Sequence, residues 1–345
     1  MKIGISSLPE ERLRAFAVQL GQPAFRGSQL FKWLHEKRVT GFGEMTDQPK
    51  AFLAQLEEQC LIETLSVQRR QQSKDGTVKY LFALPDGNCI ETVWMEYSYG
   101  NTVCVSTQVG CRMGCRFCAS TQGGKVRDLT AGEIAGEIYA AMADQGKRVS
   151  HIVLMGIGEP LDNFENVMDF LAIISSPSGL NIGMRNISLS TCGLVPQIEE
   201  LAKRRLQLTL SISLHAPTDE MRSRMMPIND AYPVAQLIAA CRAYQKETGR
   251  RISFEYSMVR GVNDSPETAQ KLARLIRGMG AHVNLIPINP VDGSPFTATD
   301  AAAIRRFQET LTGLGVNATV RRRLGTDISA ACGQLRREAK GGSNP

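Results

Sequence analysis

Three cysteines stand close together in the stretch Cys111-Arg-Met-Gly-Cys115-Arg-Phe-Cys118. Such a dense run is unexpected by chance in a chain of 345 residues with nine cysteines. Thiolates are soft ligands that suit iron–sulfur clusters or zinc. A fully ligated iron–sulfur cluster uses four cysteines. Three cysteines with no fourth in the same run would therefore leave one iron open to a substrate or a cofactor.

The main alternative for this run is a structural zinc site, which closes four positions with cysteine or histidine. No cysteine or histidine follows Cys118 until His151. The sequence therefore favours an iron–sulfur cluster over zinc, and it favours either over three buried cysteines without a ligand.

Glycines and polar residues follow several apolar segments further along the chain. Glycine lets the backbone approach a ligand closely, and the carboxylate of Glu159 can accept a hydrogen bond from an ammonium group. An ordinary turn at 156–160 and a structural histidine at His215 are the simpler interpretations of these positions taken singly. The candidate residues are Gly156, Gly158, Glu159, Ser190, Ser213, His215 and Asn289.

Two further cysteines and one glutamate stand apart from the run. Cys332 follows small residues and precedes Gly333, which suits an exposed thiol, and Cys104 lies shortly before the run. The simpler interpretation of both is a small buried hydrophobic residue. Glu91 lies in an apolar segment and is either exposed or a buried functional carboxylate; its spacing favours the exposed face.

The elements that must position these residues alternate between strands and helices from about residue 100 onward, which predicts an α/β protein with a parallel sheet, open or closed into a barrel. Active sites in such folds lie at the carboxyl ends of the strands. The predicted strands are 102–107, 151–156, 186–190, 208–214, 252–259, 283–288 and 318–322. The predicted helices are 131–145, 164–174, 196–204, 234–246, 266–278 and 301–314.

The region before residue 100 lacks this alternation of strands and helices. Three helical segments begin near Pro9, Phe25 and Pro49. Segments 62–71, 77–84 and 89–96 are rich in β-forming residues and are separated by turn sequences, which predicts a small β meander.

Composition excludes several classes of protein. With 43% hydrophobic and 21% charged residues the chain can bury a core, so it is not a disordered chain. We find no apolar run long enough for a transmembrane helix and no secretory signal at the N-terminus, so we expect a cytoplasmic protein with reduced thiols. The net charge of +6 is compatible with binding to phosphates but does not establish it.

Together these motifs resemble the RlmN/Cfr family of radical S-adenosylmethionine (radical SAM) RNA methyltransferases over nearly the whole chain. The cysteine run has the spacing of the radical SAM superfamily. The other matching motifs are FRGSQLFKWLH (25–35), ETV (91–93), CVSTQVGC (104–111), GIGEPL (156–161) with Asn163, SLHAP (213–217), MPIN (226–229), LIPINP (285–290) and ACGQL (331–335).

The resemblance implies a partial (βα)6 TIM-like radical SAM barrel. The expected domains are an N-terminal helical RNA-binding accessory domain (1–60), a β-rich connecting segment (61–98), a core barrel with a C-terminal catalytic cysteine segment (99–340) and a disordered tail (341–345). Cys111, Cys115 and Cys118 would ligate one [4Fe-4S] cluster, whose open iron binds SAM. The positions that match SAM contacts are Gly158, Glu159, Ser190, Ser213, Leu214, His215 and Asn289.

The resemblance also implies the reaction, which is methylation of adenine C2 with two SAM molecules per turnover. Cys332 would be methylated first, and the activated methyl would then bond covalently to the adenine. Glu91 would accept the C2 proton, and Cys104 would release the product by forming a disulfide with Cys332. An unpaired or splayed adenine is required.

The implied substrates are an adenosine of 23S ribosomal RNA at the peptidyl transferase centre and the adenosine 3′ to the anticodon in a subset of tRNAs. We expect a flavodoxin-type electron donor, no membrane association and a monomer. Pro160 and Val109 resemble the C2 enzymes, whereas C8 enzymes of the Cfr type tend to carry alanine and cysteine there. C8 methylation remains the alternative.

Two other functions belong to different classes. A non-catalytic iron–sulfur protein that binds RNA or senses redox state would need neither Cys104 nor Cys332. A radical SAM activator of a partner protein would lack the C-terminal cysteine. Both are therefore less favoured.

Overall fold

The computed structural model describes residues 2–288, 295–322 and 324–328. Its N-terminal part consists of β1 (Ile3–Gly4), α1 (Glu10–Gln19), α2 (Phe25–Lys32), α3 (Lys50–Gln59) and β2 (Cys60–Leu61). The three helices predicted here are confirmed, and α2 continues into a π-helical turn at Trp33–Lys37. β1 and β2 pair in parallel, so the two ends of this part lie side by side.

The remaining strands are β3 (Ser66–Gln72), β4 (Val78–Ala83), β5 (Cys89–Tyr97), β6 (Gly100–Cys104), β7 (Gln108–Gly110), β8 (Lys125–Asp128), β9 (His151–Leu154), β10 (Ile187–Thr191), β11 (Thr209–Ser213), β12 (Ser253–Met258), β13 (His282–Pro287) and β14 (Asn317–Val320). The remaining helices are α4 (Ala131–Gln145), α5 (Phe164–Ser175), α6 (Val195–Lys203), α7 (Asp219–Met225), α8 (Ile228–Ala231), α9 (Val234–Thr248), α10 (Pro266–Leu275) and α11 (Ala301–Gly313). None of the described helices is long and apolar enough to span a bilayer.

Ten strands form one sheet in the order β14-β13-β12-β11-β10-β9-β6-β5-β4-β3. Neighbours from β6 through β14 run parallel, whereas β3 to β6 run antiparallel. The predicted α/β alternation is confirmed, and it builds a partial barrel. The predicted meander extends this same sheet, and the domain boundary at 98/99, which stays a prediction, falls between two of its paired strands.

Local sequence signals explain where the helices begin and end. At the start of α4, the Thr130 hydroxyl accepts from the Glu133 N–H (3.1 Å), and the Glu133 carboxylate accepts from the Thr130 N–H (3.0 Å). This reciprocal cap satisfies two donors that the first helical turn leaves free. Gly146 ends the helix in a left-handed conformation (φ 61°), which glycine adopts without strain.

The register gives the sheet two different faces, because residues opposite each other in neighbouring strands lie on the same face. One face is apolar: Leu189 is opposite Leu210, and Ile212 is opposite Phe254. The other face is polar. Its rows include Ser190–Ser211–Ser253 and Ser213–Glu255–Asn284. The apolar face belongs to the buried core, which leaves the polar face to line the interior of the partial barrel.

The two edges of the sheet are joined by side chains. The Ser73 hydroxyl, in the turn between β3 and β4, donates to Asp327 Oδ1 (2.5 Å), and the Lys74 N–H donates to Asp327 Oδ2 (3.2 Å). The Gly325 N–H donates to Asp75 Oδ2 (2.9 Å). We call these three hydrogen bonds the clasp, and they connect the segment that follows β14 to the opposite edge of the sheet.

Gly27 sits where α2 crosses α1, and it supports a test of the N-terminal packing. A Cβ at this position would lie 2.4 Å from the Arg14 Cα and the Leu13 carbonyl oxygen. We therefore expect Gly27→Ala to destabilise the fold by about 1–3 kcal/mol, because the backbones must separate. Urea unfolding followed by circular dichroism measures this. Gly43→Ala is the control, since a Cβ at Gly43 meets no atom within 4 Å; equal effects of the two variants would contradict this packing.

Candidate active site

The cysteine run lies in the loop between β7 and β8, which pair as an antiparallel hairpin that the sequence did not reveal. The Cys111 N–H donates to the Gly124 carbonyl (3.1 Å), and the Cys118 N–H donates to the Cys115 carbonyl (3.1 Å). The Thr121 hydroxyl donates to the carbonyls of Cys115 (3.2 Å) and Cys118 (3.0 Å). These bonds fold the run so that all three cysteines line one cavity.

Asp162 fixes this hairpin to the turn that follows β9. Its carboxylate accepts from Arg112 (2.5 Å) in the loop, from Gln108 (2.9 Å) in β7 and from Lys125 (3.0 Å) in β8. A single carboxylate thereby holds both strands of the hairpin and the cysteine loop. The loop is positioned by the barrel and does not depend on its own short strands alone.

Gly156 and Gly158 are required by contact between two segments of the chain. A Cβ on Gly156 would lie 2.5 Å from the Val105 carbonyl oxygen, and a Cβ on Gly158 would lie 2.8 Å from the Gln108 backbone nitrogen. Gly158 also has a φ of 114°, which other residues rarely adopt. These two glycines were expected to let the backbone approach a ligand. In the structure they allow the turn after β9 to pack directly against the start of the cysteine hairpin.

Glu159 is a buried carboxylate at the same turn. It accepts from the Cys192 N–H (2.7 Å) and from the Leu161 N–H (3.1 Å), so it joins the ends of β9 and β10. Burial raises its pKa, while these backbone donors oppose the shift. Its side chain also lines the cavity, where it remains available to a cationic ligand.

Ser190, Ser213 and His215 come together as predicted. The two serine hydroxyls are 3.5 Å apart across neighbouring strands. His215 Nδ1 accepts from the Ser257 N–H (2.9 Å), and burial lowers the pKa of His215 to about 3, so the ring is neutral with its proton on Nε2. The ring also meets Phe117 of the cysteine loop edge to face, with centroids 4.9 Å apart.

The other predicted SAM positions differ in what the structure shows of them. Leu214 is fully buried, its N–H donates to the Glu255 carbonyl (3.1 Å), and it is not among the residues that line the cavity. Asn289 and Cys332 lie outside the described residues. The roles expected for these three residues stay predictions.

The cavity has a volume of about 200 Å³ and lies at the carboxyl ends of the strands. Sequence reasoning did not single out several residues that complete its wall. Glu255 could have been found from its isolated position in an apolar strand, whereas Arg321 carries no such signal. The lining residues not predicted include Met113, Met155, Thr191, Met226, Glu255, Ile286 and Arg321.

The three cysteines fit an iron–sulfur cluster chemically. Burial raises the pKa of Cys111 to about 12 and raises that of Cys115 as well, so both are neutral thiols until a metal displaces their protons. In an iron–sulfur cluster each cysteine binds a different iron, so three cysteines that line one cavity suit such a cluster.

Cys104 lies on the polar face of the sheet, in register with both the barrel and the antiparallel strands. It is opposite Val153 in β9 and opposite Val93 in β5, which is in turn opposite Lys79 in β4. Burial raises the pKa of the Cys104 thiol to about 11, and Arg321 opposes this shift. Cys104 has no disulfide partner among the described residues.

The exposed position favoured for Glu91 is wrong. Its side chain is 2% exposed and forms an ion pair with Lys79, which is fully buried, at 3.0 Å. Glu91 is on the same face as Lys79 and Cys104, since it lies two residues from Val93 along β5. The buried Lys79 pairs with the carboxylate of Glu91. Strand periodicity alone could not reveal this pairing.

Comparisons with known proteins agree with this geometry. A model of the radical SAM superfamily matches residues 105–273, and a model of the ribosomal RNA large subunit methyltransferase N-terminal domain matches residues 3–62. A probable dual-specificity RNA methyltransferase RlmN of Desulforamulus reducens is 50% identical over 337 residues, which cover 97% of this chain and 96% of that protein. A protein of the same description from Clostridium perfringens is 52% identical over 328 residues, covering 95% and 94%.

A solved structure is similar over the same range. The crystal structure of a radical SAM methyltransferase from Sphaerobacter thermophilus superposes with a TM-score of 0.91 at 44% sequence identity. The superposition covers 96% of this chain and 98% of that one. The similarity therefore includes the N-terminal helices as well as the partial barrel.

Alanine at any one of Cys111, Cys115 or Cys118 should abolish cluster binding and SAM cleavage, because each thiol would supply one of the three ligands of the expected cluster. The fold should survive, since the hairpin is also held by Asp162. Iron and sulfide analysis after anaerobic reconstitution, with circular dichroism, checks both points. Cys60→Ala removes a buried thiol from the N-terminal part and should keep full iron; a full cluster with SAM cleavage in any run variant would refute the assignment.

Proposed function

The chain belongs to the RlmN family of radical SAM RNA methyltransferases, and we propose that it methylates C2 of adenosine in 23S ribosomal RNA and in tRNA. The proposed sites are an adenosine at the peptidyl transferase centre and the adenosine 3′ to the anticodon in a subset of tRNAs. The observation that carries this proposal is the convergence of the cysteine loop with a polar sheet face that also bears Cys104 and a buried Glu91.

The radical SAM family implies a [4Fe-4S] cluster and SAM, and a bound cluster would supply the electron for the reductive cleavage of SAM. Cys111, Cys115 and Cys118 would hold one cluster per chain. Two SAM molecules would be consumed per turnover, one for the methyl group and one for the radical.

The carboxyl ends of the strands would hold SAM. The Glu159 carboxylate faces the cavity and suits the amino group of the ligand. Ser190 and Ser213 offer neighbouring hydroxyls for the ribose or the carboxylate, and neutral His215 offers a donor at Nε2. Gly158, Leu214 and Asn289 are proposed as further contacts on the strength of the family motifs.

Cys332 would accept a methyl group from the first SAM. The radical derived from the second SAM would remove a hydrogen atom from this methyl group, so that its carbon could bond to C2 as a covalent protein–RNA link, and the adduct would lose one electron to the oxidised cluster. Glu91 would then take the C2 proton, a role for which its buried carboxylate, 3.0 Å from the Lys79 ammonium, is proposed. The Cys104 sulfur would attack the Cys332 sulfur, which breaks the link to the product and leaves a disulfide to be reduced. Cys104 is suited to this step by its position on the polar face of the barrel.

The remaining proposals concern partners and setting. The N-terminal helical part (1–60) would contact RNA, and a flavodoxin-type protein would deliver electrons. We propose a cytoplasmic monomer. Methylation at C8 is the alternative, although Pro160 and Val109 are the residues of the C2 enzymes.

Nucleoside analysis separates the two positions of methylation. Ribosomal RNA and tRNA from a deletion strain, digested with nucleases and examined by mass spectrometry, should lack 2-methyladenosine and regain it when the gene is restored. Appearance of 8-methyladenosine with the restored gene would replace the C2 proposal with the C8 alternative. A strain with no change in either nucleoside would refute RNA adenine methylation.

Cys332→Ala should retain the cluster and SAM binding but lose RNA methylation, because no thiol remains to carry the methyl group. Active wild-type protein purified from cells should carry one additional methyl on the Cys332 peptide. Peptide mass spectrometry and a methylation assay measure these outcomes. Well-folded Cys332→Ala protein that still methylates RNA would contradict the role.

Cys104→Ala should trap a covalent protein–RNA adduct, because its removal acts after the bond to adenine has formed. The adduct should survive denaturing electrophoresis and leave an adenine-containing mass on the Cys332 peptide after nuclease treatment. The double variant Cys104→Ala/Cys332→Ala should carry no RNA. Cys89→Ala removes another partly buried thiol from the sheet and should behave as wild type. If Cys104 is only packing, its variant loses about 1 kcal/mol of stability and carries no adduct.

A further inference from the structure

Arg222 on α7 is a fully buried cation close to the cavity. Its guanidinium donates to the Cys192 carbonyl (2.6 Å), the Ser213 carbonyl (3.3 Å) and the Leu214 carbonyl (3.1 Å). A fourth bond runs to Asn229 Oδ1 (3.2 Å). Arg222 therefore ties together the ends of β10 and β11, from which Ser190, Thr191, Ser213 and His215 face the cavity.

None of these four hydrogen-bond partners carries a charge. Asp219, an acid on the same helix, does not bind the guanidinium. Its carboxylate accepts instead from Asn229 Nδ2 (3.1 Å) and from the Val234 N–H (2.7 Å). A guanidinium stays protonated in proteins, and a buried charge without a close anion costs stability. The site therefore contains a fixed positive charge that its hydrogen bonds satisfy but do not neutralise.

The cysteine loop lies on the other side of these contacts. Cys192, whose carbonyl Arg222 binds, lines the cavity together with Cys115. Burial lowers the pKa of Arg222, and the thiols of Cys192 and Cys115 oppose that shift. The same helix supports the loop directly, since the Arg116 N–H donates to the Met225 carbonyl (2.9 Å).

We propose that Arg222 is a positioning residue for the iron–sulfur cluster, whose fixed positive charge offsets the negative charge of the cluster and makes its reduction more favourable. The cluster brings thiolates into this buried site, and reduction adds one more electron. A cation held behind the cavity wall stabilises the reduced form more than the oxidised form, because attraction grows with the opposing charge.

This role also explains Asn229 of the MPIN motif (226–229), which the proposed reaction does not use. Asn229 accepts from Arg222 and donates to Asp219, so it orients the guanidinium while it keeps the acid engaged elsewhere. The proposal rests on the cluster and is independent of the RNA substrate and of Cys332. Its failure would leave the proposed methylation untouched.

The test compares Arg222→Gln, which keeps a donor and removes the charge, with Arg222→Lys, which keeps the charge and loses the fork of hydrogen bonds. Full-length variants are reconstituted anaerobically, matched by iron and sulfide content, and titrated by electron paramagnetic resonance without SAM or RNA. Arg274→Gln is the control, because Arg274 is exposed and does not line the cavity.

Arg222→Gln should shift the midpoint potential to more negative values, well outside the spread of replicate titrations. Arg222→Lys and Arg274→Gln should stay near wild type. A wild-type potential in Arg222→Gln would overturn the proposal, as would an equal shift in Arg222→Lys. If Arg222→Gln holds no cluster, the Arg222→Lys variant decides the test. A cluster at the wild-type potential in Arg222→Lys supports the proposed role of the positive charge. An Arg222→Lys protein that holds no cluster shows that the hydrogen bonds matter and overturns the proposal.

Discussion

The pairing of β6 with β9 continues beyond both strands, and the site depends on this continuation. The Gly156 N–H donates to the Val105 carbonyl (3.0 Å), and the Thr107 N–H donates to the Ile157 carbonyl (2.8 Å). The two backbones approach so closely that neither Gly156 nor Gly158 has room for a side chain. This contact fixes the cysteine hairpin against the turn that carries Glu159. The three cysteines and the wall of the cavity beside them thus share one backbone interface.

Charge inside the barrel follows from the alternation of the strands. Since every second residue points inward, the polar face can carry serines, glutamates and a lysine without disturbing the apolar face. Lys79 and Glu91 neutralise each other, whereas Glu159 is held by backbone donors and Arg222 by backbone carbonyls. Each of these four buried charges therefore has a partner suited to its position, and Glu159 and Arg222, beside the cavity, are held by neutral backbone groups.

Much of this arrangement could be predicted from the sequence. Hydrophobic patterns located the parallel strands and their helices to within a few residues, and cysteine spacing singled out a loop whose three cysteines line one cavity. The hairpin of β7 and β8 was not predicted, because strands of three and four residues are too short to show a clear alternation of polar and apolar residues. Glu91 was misplaced because its burial depends on Lys79 in another strand, and lysine in a strand normally indicates solvent. Arg222 escaped for the same reason: a buried cation is visible only once its distant acceptors are in place.

The clasp has a consequence for how the chain assembles. Its hydrogen bonds join residues 250 to 254 positions apart in the sequence. Closing so long a loop has a large entropic cost, whereas neighbouring βα units can pair as they emerge during synthesis. The segment after β14 therefore docks on the β3–β4 turn only after residues 325–327 have left the ribosome, long after β3 and β4. Until then, the partial barrel remains open along the side that this segment later bridges.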